Sequence, residues 1–482
     1  MEQLKAGMAQ VNITPPPGVF LAGYRLRDTP AWRIQDELRA TALVVEAAGK
    51  RAVLISADLA GLPLRRVEAV RAEISRQTGT SPDGVMISCS HTHSGPQTRE
   101  RPHLILGTGG GWIKQTHDAY LKTLEEKLAG AAIMACKGLE PAGIGTGRGE
   151  LRGCVINRRH PDGVTDPEVS VVRVEPRSGR WHGILVNFAC HPTSMGPHEG
   201  EPVISPDYPG HMARYLEAMG GPGTYGMFAN GAAGNVAPWD FHFMGDDLGE
   251  GDIRKAYTHT YSLDDSRMLG RLLALEAMKV WAQIRVQDQA RIAFARQPLS
   301  LRVRTWPSVE EAVQEVERCK AVLARVQAGE KIARVQKTRQ DILYERQIAC
   351  FYPDLAVDDW GPIIGLKYAE EGLQFVQERE KDSGRRVIET EVHAVSIGDT
   401  ACVGIPGELF VEIGLAVKRA SPFSHTMVFG YSNDSVGYLP TREAFPEGGY
   451  GVTWASRVTE EAEGQICVAS TRALERCRED RG

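Results

Sequence analysis

Residues 63–96 read PLRRVEAVRAEISRQTGTSPDGVMISCSHTHSGP, and their pattern decides the fold class. Leu64, Val67, Val70 and Ile74 recur at three- and four-residue steps, which places them on one face of a helix over 63–78. Gly79-Thr80-Ser81-Pro82 stops that helix, Val85–Cys89 is a short apolar strand, and Ser90-His91-Thr92-His93-Ser94-Gly95-Pro96 is a polar loop. Helix, turn, strand and loop in this order predict an α/β layer with a functional loop at the strand's end.

The flanking sequence extends this layer on both sides. Upstream, Gln10–Ile13 is β-like, Pro15-Pro16-Pro17-Gly18 is a breaker, and Thr41–Glu46 and Val53–Ser56, joined through Gly49-Lys50, read as a buried hairpin. Downstream come a glycine tract at Gly107–Gly111, a helix near His117–Met134, strands at 142–147, 169–175 and 182–189, and helices at 205–219 and 261–283. Residues 308–383 change texture. Val309, Val313, Val316, Leu323 and Val326 keep helical spacing among charged residues, so the stretch is expected to be a helical insertion, an antiparallel pair with a third segment at Ile364–Arg379. Strands return at Val387–Ile397 and Thr400–Val403, with Gly398-Asp399 as their turn, and no internal repeat is visible. The fold class is therefore α/β (mixed α+β), a mixed β-sheet core flanked by helices, and 1–482 is expected to form one domain carrying the 308–383 insertion.

Composition removes several function classes. The 482 residues carry 56 Lys+Arg against 61 Asp+Glu, a formal charge of −5, which excludes a polybasic nucleic-acid binder. A chain this long, 42% hydrophobic, hides about three quarters of its unfolded surface and needs no disulfide staple. The nine cysteines contain no Cys-x-x-Cys pair and read as reduced thiols of a cytoplasmic protein. The N-terminus has no signal-peptide pattern, and no run approaches the ~18 apolar residues of a transmembrane segment. A small-molecule or lipid-like substrate is expected, with no nucleic acid and no transmembrane segment, and a homo-oligomer stays open.

His91-Thr92-His93 is the first candidate constellation. If the strand continues through it, residues two apart share a face roughly 6.6 Å apart, giving two metal ligands, or one ligand and one acid/base group. A polar loop with two exposed histidines has the same pattern. His191 follows another apolar run, Ile184–Phe188, so two strands each deliver a histidine at the terminus where open α/β sheets bind ligands. Cys190 beside it reads either as a ligand or nucleophile or as a small core filler. Asn230–Pro238 is rich in glycine, which lets backbone approach closely, as a packed turn also would. Glu408, after Pro406-Gly407, is expected to open a helix, where a carboxylate suits the positive dipole end whatever its function.

Taken together, Ile13-Thr14-Pro15-Pro16, Cys89-Ser90-His91-Thr92-His93-Ser94-Gly95-Pro96, Asn157-Arg158, His191, Gly407-Glu408, Asn433-Asp434, Gly437-Tyr438 and Thr441-Arg442-Glu443, in that order, resemble the neutral/alkaline non-lysosomal ceramidase family, N-terminal catalytic domain. The likeness covers most of residues 5–300 and 385–475. It implies a zinc-dependent hydrolase of linear amides, with Zn2+ on His91, His191, Glu408 and Tyr438. His93 would lie beside the scissile carbonyl and carry protons, with Arg158 and Tyr450 completing the pocket. No organic cofactor is implied. The chemistry is self-consistent. A metal held by imidazoles and a carboxylate lowers the pKa of bound water toward ~7, and the tetrahedral oxyanion finds donors nearby.

The sequence departs from the family at Gly234-Asn235-Val236-Ala237-Pro238-Trp239, where Ala237 replaces a serine. Alanine has no hydroxyl, so a serine nucleophile is excluded there, whereas metal-activated water needs none. The family's C-terminal immunoglobulin-like domain and secretion signal are expected to be absent. Three other readings stay open: a zinc esterase or lactonase, an amidase acting on a non-lipid polar substrate, and a non-catalytic binding protein on the same core.

Overall fold

The alternating residues of β2 (Arg39–Ala47) and β3 (Lys50–Ala57) pair antiparallel over eight positions. Ala48 and Gly49, both at positive φ, form the two-residue turn, so it closes one residue earlier than the spacing suggests. The structure, a computed structural model, describes residues 3–24, 27, 29–99, 111–160, 162–195, 202–238, 262–329, 366, 369–370, 372–373, 376–377 and 386–480. The glycines at 107–110 lie outside the described residues.

With β1 (Lys5–Asn12), α1 (Leu64–Thr78) and β4 (Val85–Cys89), this hairpin makes a unit of three antiparallel strands, a helix and a fourth strand parallel to the third. Gly79, in the left-handed conformation, ends α1 by donating its N–H to Ser75 O. The unit recurs. Strands β5 (Glu140–Glu150), β6 (Glu168–Pro176) and β7 (His182–Phe188), helix α3 (Asp207–Gly220) and β8 (Thr224–Asn230) repeat it after α2 (Gly111–Lys137). Strands β9 (Ile292–Arg302), β10 (Val387–Ile397), β11 (Thr400–Gly404), helix α6 (Val411–Ala420) and β12 (His425–Phe429) repeat it again after α4 (Leu263–Trp281). Helix α7 (Ala462–Glu479) trails the third unit. The first two units share an eight-stranded sheet, β8-β7-β6-β5-β1-β2-β3-β4, and the third forms a four-stranded sheet, β9-β10-β11-β12.

A repeat is therefore present where the sequence shows none. Its trace is a buried methionine at one register of each fourth strand, Met86, Met227 and Met427, beside Leu54, Leu185 and Cys402 of the third strands. All six side chains meet in one core. Close packing there constrains volume and burial rather than identity, which leaves no sequence periodicity to read.

The units lock together where the fourth strands end. Asn230 donates its side-chain N–H to Ser90 O at 2.9 Å, Gly430 N–H reaches Asn230 O at 2.9 Å, and Cys89 N–H reaches Tyr431 O at 3.1 Å. Asn433 and Asp434 extend the lock. Asn433 exchanges hydrogen bonds with the backbone of Ile87, and Asp434 Oδ1 accepts Leu64 N–H at the first turn of α1. Behind them lies a buried polar cluster, in which Arg71 pairs with Glu391 at 2.7 Å and Asn433 donates to both Glu391 and His393 Nδ1.

The insertion falls in the first hairpin connection of the third unit. Ser308 and Glu311 form a capping box that starts α5 (Val309–Gln327), and Val316 and Cys319 pack against Ala369, with Leu366 and Leu373 alongside. The expected helix between these segments lies outside the described residues. Of Ile364–Arg379, residues 366, 369–370, 372–373 and 376–377 are described and are helical. No described helix is long and apolar enough to cross a membrane.

His393 makes the cluster acid-sensitive. Its Nε2–H donates to Asp83 O at 2.8 Å, and burial, followed by the Arg71 charge, lowers its pKa to about 3. In the unfolded chain a histidine protonates near pH ~6.5. The stability contributed by this group is thus complete above that pH and falls as pH drops toward 3, because only the unfolded chain takes the proton, at about 1.4 kcal/mol per pH unit. Urea unfolding between pH 7.5 and 4 should show His393→Gln with an acid slope shallower than the parent's by about one proton; equal slopes would refute this role.

Candidate metal centre

His91 and His93 follow β4, His191 follows β7, Glu408 follows β11 and Tyr438 follows β12, so the loops after the third and fourth strands of the three units carry most of the sequence-selected residues. The His91 side chain does not reach the site by strand continuation. Strand β4 stops at Cys89, and His91 adopts a left-handed backbone, φ 70°, so a turn rather than a shared strand face brings the two imidazoles together, with ring centroids 5.0 Å apart. Such a conformation costs a non-glycine residue about 1–2 kcal/mol. His91 N–H to Leu59 O at 2.8 Å and Nδ1–H to Ala60 O at 2.5 Å hold it in place.

His191 follows β7, and its Nδ1–H donates to Ala233 O at 2.9 Å. In both His91 and His191 the proton is therefore committed to a backbone carbonyl, and Nε2 presents its lone pair inward. The two Nε2 atoms are 3.1 Å apart, and His93 Nε2 is 3.2 Å from that of His91. Gly23, at φ 99°, permits this packing, since a Cβ there would fall 2.3 Å from His93 Cγ.

Glu408 does not open a helix. It lies in a short strand, Glu408–Leu409, paired in parallel with Tyr438–Leu439 so that Glu408 stands opposite Tyr438, and α6 begins only at Val411. Its Oε2 is 3.2 Å from His91 Nε2 and 3.6 Å from His191 Nε2. Burial pushes this carboxyl up, but His91, Arg158 and a hydrogen bond from Tyr438 outweigh it and hold the pKa below the usual glutamate value. Arg158 Nη2 donates to the Tyr438 hydroxyl at 2.5 Å, and its Nε donates to Gly234 O at 3.1 Å. The glycine-rich loop makes a close approach, as its composition predicts: a Cβ on Gly234 would lie 2.3 Å from Glu408 O.

His91, His93 and His191 are buried and form a group able to hold a metal ion. Tetrahedral nitrogens ~2.0–2.1 Å from zinc lie about 3.3–3.4 Å apart, close to the spacings between Nε2 of His91 and His191 and Oε2 of Glu408. Inward lone pairs packed this tightly repel one another unless a cation or proton sits between them, so the donor set fits a divalent metal. His93 differs from the other two histidines, because its buried Nδ1 has no hydrogen-bond partner. Burial, followed by the adjacent His91 ring and the Arg27 and Arg158 guanidinium groups, pushes its pKa well below the usual histidine value, so the ring is neutral.

Tyr450 opens a π-helical turn, Tyr450–Trp454, whose Gly451 backbone packs so closely on Tyr438 that a Cβ there would lie 3.1 Å from the ring. The Tyr450 side chain lies outside the described residues. Ala237 is in a short strand, Val236–Pro238, facing Ile156, and places a methyl where a serine nucleophile would stand. Cys190 is enclosed in an apolar cluster, and burial drives its thiol pKa well above the ordinary value, which suits a core filler. Two residues of the site have no role assigned to them from the sequence, although Tyr431 lies in a turn-rich segment, Tyr431-Ser432-Asn433-Asp434, that the sequence marks. Tyr431 stacks on His91, centroids 4.0 Å apart at 21°, and its hydroxyl lies 3.5 Å from His191 Nδ1. Arg27 donates from Nη1 to His93 O at 2.8 Å. Neither belongs to a periodic pattern or a ligand spacing.

Comparison with known proteins follows the same lines. Residues 4–240 match the profile described as neutral/alkaline non-lysosomal ceramidase, N-terminal. Neutral ceramidase B of Dictyostelium discoideum is 30% identical over 226 residues, 42% of this chain and 30% of its own length. The neutral ceramidase of Pseudomonas aeruginosa is 27% identical over 251 residues, 48% of this chain and 36% of its own length. The matched stretch thus spans about a third of these relatives. In fold the likeness runs further. A ceramidase solved in complex with C2 superposes with TM-score 0.70 at 19% identity, covering 99% of this chain and 76% of that one, and the Pseudomonas aeruginosa neutral ceramidase structure gives 0.65 at 22%, covering 98% and 75%.

Metal analysis separates the possible ligand sets. After dialysis against chelator-treated buffer, His91→Ala, His191→Ala and Glu408→Gln are expected to retain zinc at least ~10-fold less tightly than the parent, while His93→Ala keeps one equivalent. Equal loss in His93→Ala would instead make the three histidines the binding set. Tyr431→Leu, which removes the ring stacked on His91, should weaken zinc affinity about 10–100-fold, and Tyr431→Phe much less.

Proposed function

Since the chain belongs to the neutral/alkaline non-lysosomal ceramidase family, we propose that it is a zinc-dependent hydrolase of linear amides, with an N-acyl compound as substrate and one domain interrupted by the 308–383 insertion. The convergence of His91 Nε2, His191 Nε2 and Glu408 Oε2 carries this reading. His91, His191, Glu408 and Tyr438 would hold the ion. When bound, zinc supplies Lewis-acid charge to an amide carbonyl and acidifies water toward neutrality.

The remaining chemistry belongs to the side chains. His93 is neutral, and no backbone carbonyl fixes its tautomer, so it takes a proton from the attacking water and delivers it to the departing amine nitrogen. Arg158 orients the Tyr438 hydroxyl through their 2.5 Å hydrogen bond and brings positive charge beside the developing oxyanion. The family likeness assigns Tyr450, at the start of the π-turn that packs on Tyr438, as a further donor.

His93→Ala should lower kcat about 10²–10⁴-fold on an N-acyl amide while zinc content stays at one equivalent. Across substrates of increasing acyl length, kcat/KM should rise about fourfold per methylene, the equivalent of ~0.8 kcal/mol of burial. Undiminished turnover in His93→Ala would eliminate the mechanism, and a flat chain-length profile would eliminate a lipid substrate.

A further inference from the structure

The segment that wraps His93 carries a charge with no evident use in the fold. Arg27 is 2% exposed. Its guanidinium lies 4.8 Å over the Tyr24 ring, and that ring packs edge-on against His93 at 4.8 Å. Nη1 is occupied, donating to His93 O at 2.8 Å and to Ala22 O at 3.4 Å. Nε and Nη2 are both buried without a hydrogen-bond partner. Withdrawal from water lowers the Arg27 pKa to about 10, still far above neutrality, so the group remains cationic.

The identity of the idle atoms matters. Nε–H and Nη2–H point in parallel from one edge of the guanidinium plane, the edge that grips the two oxygens of a carboxylate. A buried cation with that edge unpaired costs the fold stability, and among the described residues no carboxylate relieves it. Arg27 is fastened through Nη1 to the main-chain oxygen of His93, whose imidazole would protonate the departing amine, and this adjacency is the reason to assign its open edge to the amine side of the substrate. Arg158 differs in having its donors engaged by Gly234 and Tyr438.

The geometry points to Arg27 as a carboxylate-binding subsite beside His93, which makes the substrate an amide whose amine portion bears a carboxylate, the N-acyl amino acid class, rather than an amide of a neutral amino alcohol. This rests on the amidase reading of the same site.

The test uses the full chain in two states. With zinc, kcat/KM is measured for N-dodecanoylglycine, N-dodecanoylethanolamine and the phosphate ester of the latter. After chelation, binding of the same three compounds is measured by calorimetry, where no turnover occurs. The parent should prefer N-dodecanoylglycine to the neutral amide by about 100-fold in kcat/KM and at least ~10-fold in binding. Arg27→Gln should bring both ratios to about one, and Arg27→Lys, which keeps the charge but not the fork, should leave an intermediate ratio. Ratios are read only on variants whose thermal melting shows them folded, and if Arg27→Gln is not, the Lys variant decides. A parent that binds the carboxylate and neutral compounds equally, or prefers the phosphate ester to both, overturns the subsite. Preferential binding of the carboxylate with no hydrolysis of any amide would retain the subsite and remove the amidase reading instead.

Discussion

The structure depends on three strand ends being tied to one another. The Asn230 side chain to Ser90, Gly430 to Asn230 and Cys89 to Tyr431 join the ends of β4, β8 and β12, and each bond crosses from one unit to another. These are buried backbone groups at the ends of ladders, where an unmet donor or acceptor carries its full desolvation cost. Once the ends are fixed, the loops that leave them have little freedom, and His91, His191, Glu408 and Tyr438 must face a common point although 347 residues separate the first from the last. The left-handed backbones of His91, Tyr431 and Asn433 store local strain next to this knot, where hydrogen bonds to Leu59, Gly407 and Ile87 hold them.

Electrostatics then divides the polar residues into two kinds. His91 and His191 have each committed a proton to a carbonyl, of Ala60 and Ala233, and so present fixed lone pairs. His93 and Arg27 keep buried polar atoms without partners in an interior where most such atoms are satisfied. Committed groups define a place for a cation, and uncommitted ones define where a reacting molecule makes up the deficit.

Much of this was legible in the sequence. The 63–96 stretch folds as its periodicity indicates, with α1 over Leu64–Thr78 and β4 over Val85–Cys89, because apolar spacing and turn residues act locally. The hairpins at 39–57 and 387–404 follow for the same reason. Of the residues chosen for the site from order and type, His91, His93, His191, Glu408, Arg158 and Tyr438 lie in contact with one another, and the Tyr450 side chain lies outside the described residues. What was hidden depends on tertiary pairing. Glu408 looked like a helix-opening carboxylate because Pro406-Gly407 precedes it, and only its partner strand, 30 residues on, makes it β. His91 looked like a strand residue, and the carbonyls of Leu59 and Ala60 turn it. Tyr431 and Arg27 carry no signal in spacing, since each earns its place through contacts with residues more than 60 positions away.

The threefold recurrence of one unit has a consequence for how such a centre arises. Six residues past the paired positions Leu54, Leu185 and Cys402 of the third strands stand Ala60 of the first unit, His191 of the second and Glu408 of the third, each beyond the end of its strand. One slot thus holds a methyl whose main chain steadies an imidazole, an imidazole itself, and a carboxylate. Three copies of one unit bearing the same side chain in this slot could offer only equal groups, so the unlike donors of the centre depend on the three copies differing in sequence while sharing a backbone plan.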